Sequence, residues 1–184
     1  MIEVAKKYKE DQIYSICDYP PYRGGSNPDI NRNTYKIMDL KSASAQNHDA
    51  VVIEFGKRLN DGTKRLADSL GITTLQVAIV PSSEQGKVSV GLEAMLNHVQ
   101  DVNIIYNEKF IVRDVTVPKA HLGGGRSYQK NIDSVSVHVK PDPNIPLLLI
   151  DDVSTSGNSL NSCREILLKS GVKRVYMVTI GRTV

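Results

Sequence analysis

Hydrophobic and polar positions change period several times along the chain, and each change predicts an element. From Asp49 onward Val51, Phe55 and Leu59 recur at helical spacing, and Asn60-Asp61-Gly62 predicts a stop. A second, short helix is predicted from Thr63 to Leu70, with Gly71 as its C-terminal cap. Thr73 to Val80 reads as a strand, Pro81 to Lys87 as a polar loop, and Val88, Leu92, Met95, Leu96 and Val99 as one face of a helix. Phe110 to Val117 predicts the next strand. The following stretch, Pro118 to Asp133, contains Gly123-Gly124-Gly125 and is too flexible for either regular element. Val135, Val137 and Val139 alternate as a strand with one polar face, whereas Pro146 to Ile150 is an unbroken apolar run of the kind covered on both sides. A helix is expected from about Asn158 to Ser170, with Leu160, Cys163 and Leu167 on one face and Gly171 as its stop. Val175 to Ile180 makes a last strand. The first forty residues show no comparable period, and Asp18-Tyr19-Pro20-Pro21-Tyr22-Arg23-Gly24-Gly25 favours turns and extended chain.

Strands alternating with helices imply an α/β fold, a mostly parallel sheet flanked by helices, whose ligands bind beyond the carboxyl ends of the strands. The 184 residues suit a single domain able to bury roughly 70% of the surface its unfolded chain exposes. No repeat and no linker divides it, so one domain over 1–184 is expected, with a variable N-terminal region at 1–48 and the core at 49–184.

Composition narrows the function classes. With 40% hydrophobic and 23% charged residues the chain is globular in character, and no apolar run approaches a membrane span. The N-terminus, MIEVAKKYKEDQIY, is charged from its third residue and has no apolar secretory core, so a cytoplasmic location is expected. Cys17 and Cys163 have no paired spacing, which fits a reducing compartment and no zinc site. A net charge of +3, spread along the chain, does not indicate nucleic acid as a ligand.

Chemistry concentrates in Leu147-Leu148-Leu149-Ile150-Asp151-Asp152-Val153-Ser154-Thr155-Ser156-Gly157-Asn158-Ser159-Leu160. A buried strand delivers two carboxylates to its carboxyl end, and a turn of small residues opens directly into a helix. The first N–H groups of that helix lie where its dipole is positive, which suits a phosphate. Gly157 would let the anion approach the backbone, and Thr155, Ser156 and Ser159 would donate further bonds, with Asn158 in the same turn. Asp151 and Asp152 would repel that phosphate, but they suit sugar hydroxyls or Mg²⁺ held through water. Together these preferences describe a ribose 5-phosphate compound.

This segment resembles the 5-phosphoribosyl-1-pyrophosphate (PRPP) loop of type I phosphoribosyltransferases, in which an apolar strand leads to two acids and a Thr-Gly-x-Thr turn. Here the turn is Ser156-Gly157-Asn158-Ser159, which keeps the hydroxyls and loses only methyls. The resemblance covers about residues 50 to 184, and it leaves 1–48 in the position of the family's variable hood. It implies a phosphoribosyltransferase that moves ribose 5-phosphate from Mg²⁺-bound PRPP to a nitrogen acceptor and releases pyrophosphate, with Asp151 and Asp152 toward the ribose and the metal. It further implies a pyrophosphate loop at Pro81 to Lys87, with Ser82, Ser83 and Lys87. A mobile catalytic loop falls at Pro118 to Asp133, where Lys119, His121, Arg126 and Lys130 are cations for the leaving group. Within the family the chain looks most like the ComF-like branch, through Phe110-Ile111-Val112-Arg113 with Pro118 following, Arg126 before Asn131, and the ending Thr179-Ile180-Gly181-Arg182-Thr183. One departure is informative: 6-oxopurine salvage enzymes carry an aspartate base where Thr155 stands, which disfavours hypoxanthine or guanine as acceptor.

Two other architectures fit less well. A receiver domain has its acidic pair at the first strand, and a dinucleotide-binding site would have glycines before its helix and no acids facing the pyrophosphate. The reading that stays open is a protein of the same fold that binds PRPP or a nucleotide as a signal, or serves as a partner subunit, without transferring anything. A homodimer or a protein partner is likewise left open.

Overall fold

In the computed structural model, which describes residues 8–118 and 128–184, the chain forms a five-stranded parallel sheet with helices on both faces. The elements run β1 (Ile13–Tyr19), a 3-10 turn (Arg23–Gly25), α1 (Arg32–Lys41), α2 (His48–Leu70), β2 (Thr74–Ile79), α3 (Val90–Leu96), β3 (Asn103–Tyr106), β4 (Val112–Arg113), α4 (Tyr128–Ser134), β5 (Val135–Ser136), β6 (Leu147–Ser154), α5 (Asn158–Lys169) and β7 (Val175–Thr183). The sheet order is β1-β7-β6-β2-β3, so the predicted acid-bearing strand is the central one. β4 and β5 form a separate antiparallel pair.

The continuous apolar run of β6 is explained by burial on both faces. Leu148 and Ile150 join Leu75, Val77 and Ile79 of β2 beneath the side chains of α1, α2 and α3, while Leu147 and Leu149 face Leu160, Cys163 and Leu167 of α5. Alternation along a strand sends successive residues to opposite sides, so the two cores share one sheet.

Several sequence expectations are corrected here. The stop at Asn60-Asp61-Gly62 does not occur: α2 runs unbroken through it, because Leu59, Thr63 and Leu66 keep the buried stripe in phase. That stripe outweighs the roughly 1 kcal/mol a helical glycine costs. Only Val112–Arg113 of the expected strand Phe110 to Val117 is strand, and only Val135–Ser136 of the alternating valines, since the two short segments find only each other as partners. The end of the stretch expected to lack regular structure is helical, as α4. In the region with no readable period lie β1, which pairs with β7, and α1, opened by a capping box between Asn31 and Thr34.

α1 is set firmly on the sheet. Ile37 and Leu40 are fully buried, and a Cβ built on Gly91 of α3 would lie 2.2 Å from the Leu40 carbonyl oxygen. Only glycine permits that approach of α3 to the end of α1.

Candidate functional site

Strand β6 does not end at its acids. It stays paired with β7 through Ser154, with Asp151 opposite Thr179 and Ser154 opposite Arg182. By alternation Asp151 lies on the α5 face with Leu147 and Leu149, and Asp152 on the α1 face with Leu148 and Ile150. Asp151 is 7% exposed, and its Oδ1 accepts the backbone N–H of Asp152 at 2.8 Å. Asp152 is half-buried, and its Oδ2 lies 3.3 Å from Nζ of Lys41, the last residue of α1.

The turn after β6 presents the expected hydroxyls. Thr155 and Ser156 are exposed, and Asn158 and Ser159 are half-buried. The Thr155 and Thr183 hydroxyl oxygens are 2.8 Å apart, joining the turn to the end of β7. Ser156 Oγ accepts the Asn158 N–H at 3.4 Å. Gly157 is the N-cap of the 12-residue α5 with φ +76°, a conformation that side chains resist. Its missing Cβ has a purpose the sequence does not suggest, because that space is taken by Ile13 of β1. The amino end of α5 nevertheless follows directly on the two hydroxyl residues, where the helix dipole is positive.

The loop after β2 is tightly self-bonded. Ser82 N–H donates to the Lys87 carbonyl at 2.8 Å, Gly86 N–H to the Arg113 carbonyl at 3.0 Å, Lys87 N–H to the Glu84 carbonyl at 3.3 Å, and Val117 N–H to the Ser83 carbonyl at 2.8 Å. Glu84 N–H donates to Ser82 Oγ at 3.2 Å, and Gln85 N–H to Thr116 Oγ1 at 3.0 Å. Ser83 is buried. The Lys87 ammonium lies 2.6 Å from the Glu84 carboxylate, and that partner raises its pKa. The backbone donors and the cation expected to receive pyrophosphate are thus engaged within the protein in this conformation.

Beneath that loop lies Arg113, fully buried. Its Nε donates to the Ser82 carbonyl at 3.0 Å, Nη1 to Ser134 Oγ at 2.5 Å and Nη2 to Asn131 Oδ1 at 3.1 Å. The guanidinium fork therefore joins the β2 loop to α4, which no spacing in the sequence indicates. Lys130 lies on α4; Lys119, His121 and Arg126 fall outside the described residues, as does the triple glycine.

Among the described residues no group of three or more His, Cys, Asp or Glu side chains could hold a metal ion. The opposed facing of Asp151 and Asp152 suits Mg²⁺ carried by a ligand's phosphates with one carboxylate in support, a common arrangement for this ion. A groove of about 740 Å³ lies elsewhere, between α2 and β1 and β7, lined by Tyr14, Arg58, Leu66 and Tyr176 among others. No described helix is long and apolar enough to cross a membrane.

No protein-family profile matches the chain, and no curated protein matches it in sequence. Among solved structures it is similar to a hypoxanthine phosphoribosyltransferase from Staphylococcus aureus in two crystal forms. These show 16% and 18% identity, TM-scores of 0.42 and 0.44, and coverage of 84% of this chain and 83% of that one. A purine phosphoribosyltransferase from Pyrococcus horikoshii shows 10% identity and a TM-score of 0.36 over 91% of each chain. Likenesses this distant assign neither residue roles nor an activity.

Proposed function

We propose that the chain is a phosphoribosyltransferase of the type I fold that moves ribose 5-phosphate from PRPP to a nitrogen acceptor and releases pyrophosphate. The observation that supports this reading is a pair of acids at the carboxyl end of the central parallel strand, one short turn before a hydroxyl-rimmed helix N-terminus. The amides of α5 and the hydroxyls of Thr155, Ser156 and Ser159 take the 5-phosphate, while Asp151 and Asp152 accept bonds from the ribose hydroxyls. Asp151 or Asp152 would hold Mg²⁺ together with the diphosphate, and the ion would supply charge neutralisation for the leaving group. Positive charge at C1 is shared by the ring oxygen, so the protein's task is positioning and electrostatics. Lys119 and Arg126 serve the departing pyrophosphate, as the family resemblance implies. The ComF-like branch, a cytoplasmic location, and a homodimer or protein partner belong to the same proposal.

Thr155 bonds to Thr183 where 6-oxopurine enzymes carry an aspartate base, which supports an acceptor other than hypoxanthine or guanine. Pyrophosphate release from Mg²⁺-PRPP across a panel of nitrogen nucleophiles tests the reading. Stimulation by one class of nucleophile is expected. Binding of PRPP without release under any of them favours the second reading, a regulatory or partner protein, which the self-bonded loop at Pro81 to Lys87 favours. Failure to bind PRPP overturns the transferase reading.

A further inference from the structure

We propose that Lys41 is an anion-binding residue of this site, parked on Asp152 until a Mg²⁺-diphosphate ligand arrives and exchanges both partners. The inference rests on the phosphoribosyltransferase reading and extends the site to α1, in the region to which the sequence assigns no chemistry.

Lys41 Nζ lies 3.3 Å from Asp152 Oδ2, with 42% and 27% of the respective side chains exposed. The backbone beneath the lysine is fixed, since the preceding residue, Leu40, is fully buried and its carbonyl occupies the notch left by Gly91. The ammonium therefore swings on its own flexible stem from an anchored base, at the carboxyl end of the sheet. An ion pair this open to water is weak, so it holds the two groups in place without locking them. A Mg²⁺-diphosphate ligand supplies a cation for Asp152 and an anion for Lys41 together, and charge-assisted bonds to phosphate exceed the pair they replace. The pair also keeps the acid neutralised between ligands. Lys87 and Glu84 are a second exposed pair near the same strand ends, but that lysine's partner is on its own loop and carries no part of the acid motif.

Exchange of partners predicts effects of opposite sign from one substitution. Calorimetry with two probes, Mg²⁺ alone and inorganic pyrophosphate with saturating Mg²⁺, reads both. Lys41→Met should weaken Mg²⁺-pyrophosphate binding about tenfold and strengthen the binding of Mg²⁺ alone several-fold, because Asp152 loses its competing ammonium. Lys41→Arg should restore most of the pyrophosphate affinity. Losses in both measurements would mean that the substitution damages the site, and would overturn the exchange. No change in either would overturn it too, while PRPP binding by the parent protein left the functional reading standing. Absence of any PRPP or pyrophosphate binding by the parent would remove both.

Discussion

Ile13 and Gly157, from the first strand and the last helix cap, claim the same volume: a Cβ built on Gly157 would lie 2.7 Å from Ile13 Cδ1. The edge strand thus closes against the turn that carries the candidate phosphate site. The glycine answers both to its positive φ and to β1.

Gly157→Ala should therefore destabilise the fold by about 1–3 kcal/mol, mostly from the φ requirement, since the end of an isoleucine side chain moves at little expense. Ile13→Ala introduced with it should recover part of the loss. A double-mutant cycle in urea gives the coupling. Strict additivity would show that the contact between β1 and the turn is not limiting.

Asp151→Asn combined with Asp152→Asn should weaken Mg²⁺-PRPP by more than it weakens inorganic phosphate, which the acids only repel. Calorimetry with both ligands separates the cases. Equal affinity of the double variant and the parent for Mg²⁺-PRPP would rule out the role assigned to the acids.

Arg113→Met removes the hydrogen bonds to buried Asn131 and Ser134 and half-buried Ser82 and should cost about 2–4 kcal/mol, with faster amide exchange in the loop at residues 81–87. Arg113→Lys should recover little, because one ammonium cannot span Ser82, Asn131 and Ser134 as a planar fork does. Full rescue by lysine would argue that charge, not geometry, is what matters there.

Asp114 provides a pH-dependent term. Burial alone would raise its carboxyl pKa, but hydrogen bonds from Ser136 and His138 and the charge of His138 prevail and hold it below the usual value. A depressed folded-state pKa contributes stability above the unfolded value of about 3.9 and loses it as pH falls through the folded one. Asp114→Asn should thus lower the unfolding free energy read from urea titration slightly at pH 7, by less than about 1 kcal/mol at so exposed a pair. The difference should shrink as pH falls through the folded-state pKa and vanish below it. A difference that persists there would assign the effect to packing.

Much of the core was legible because its signals are local. The five-residue apolar run Pro146 to Ile150 can only be a covered strand or part of a buried helix, and the Asp151-Asp152 pair with the Ser156-Gly157-Asn158-Ser159 turn marks the switch from period 2 to period 3.6. That pattern located β6, α5 and the hydroxyl-rich turn, and the parallel sheet followed from the alternation of strands and helices. The stop signal at Gly62 misled because a single-residue propensity of about 1 kcal/mol is smaller than the burial of the stripe that Leu59 and Leu66 continue.

What only the tertiary structure decided concerns partners far apart in sequence. The pairing of β1 with β7, the seat of α1 on Gly91, the contact of Lys41 with Asp152 and the grip of Arg113 on Ser82 and Asn131 each join segments by hydrogen bonds or packing across the fold. No local period encodes such a match. A lysine at a helix end reads as a solvated charge whatever carboxylate it meets, and an arginine in a short apolar run reads the same whether its fork is satisfied or not. The sequence by itself determined the α/β class, the doubly covered acid-bearing strand and the candidate phosphate turn, because these follow from residue type and spacing along one segment. Which face each acid takes, and which cation stands over it, was decided by β6 running on past its acids as a paired strand and by α1 packing above it.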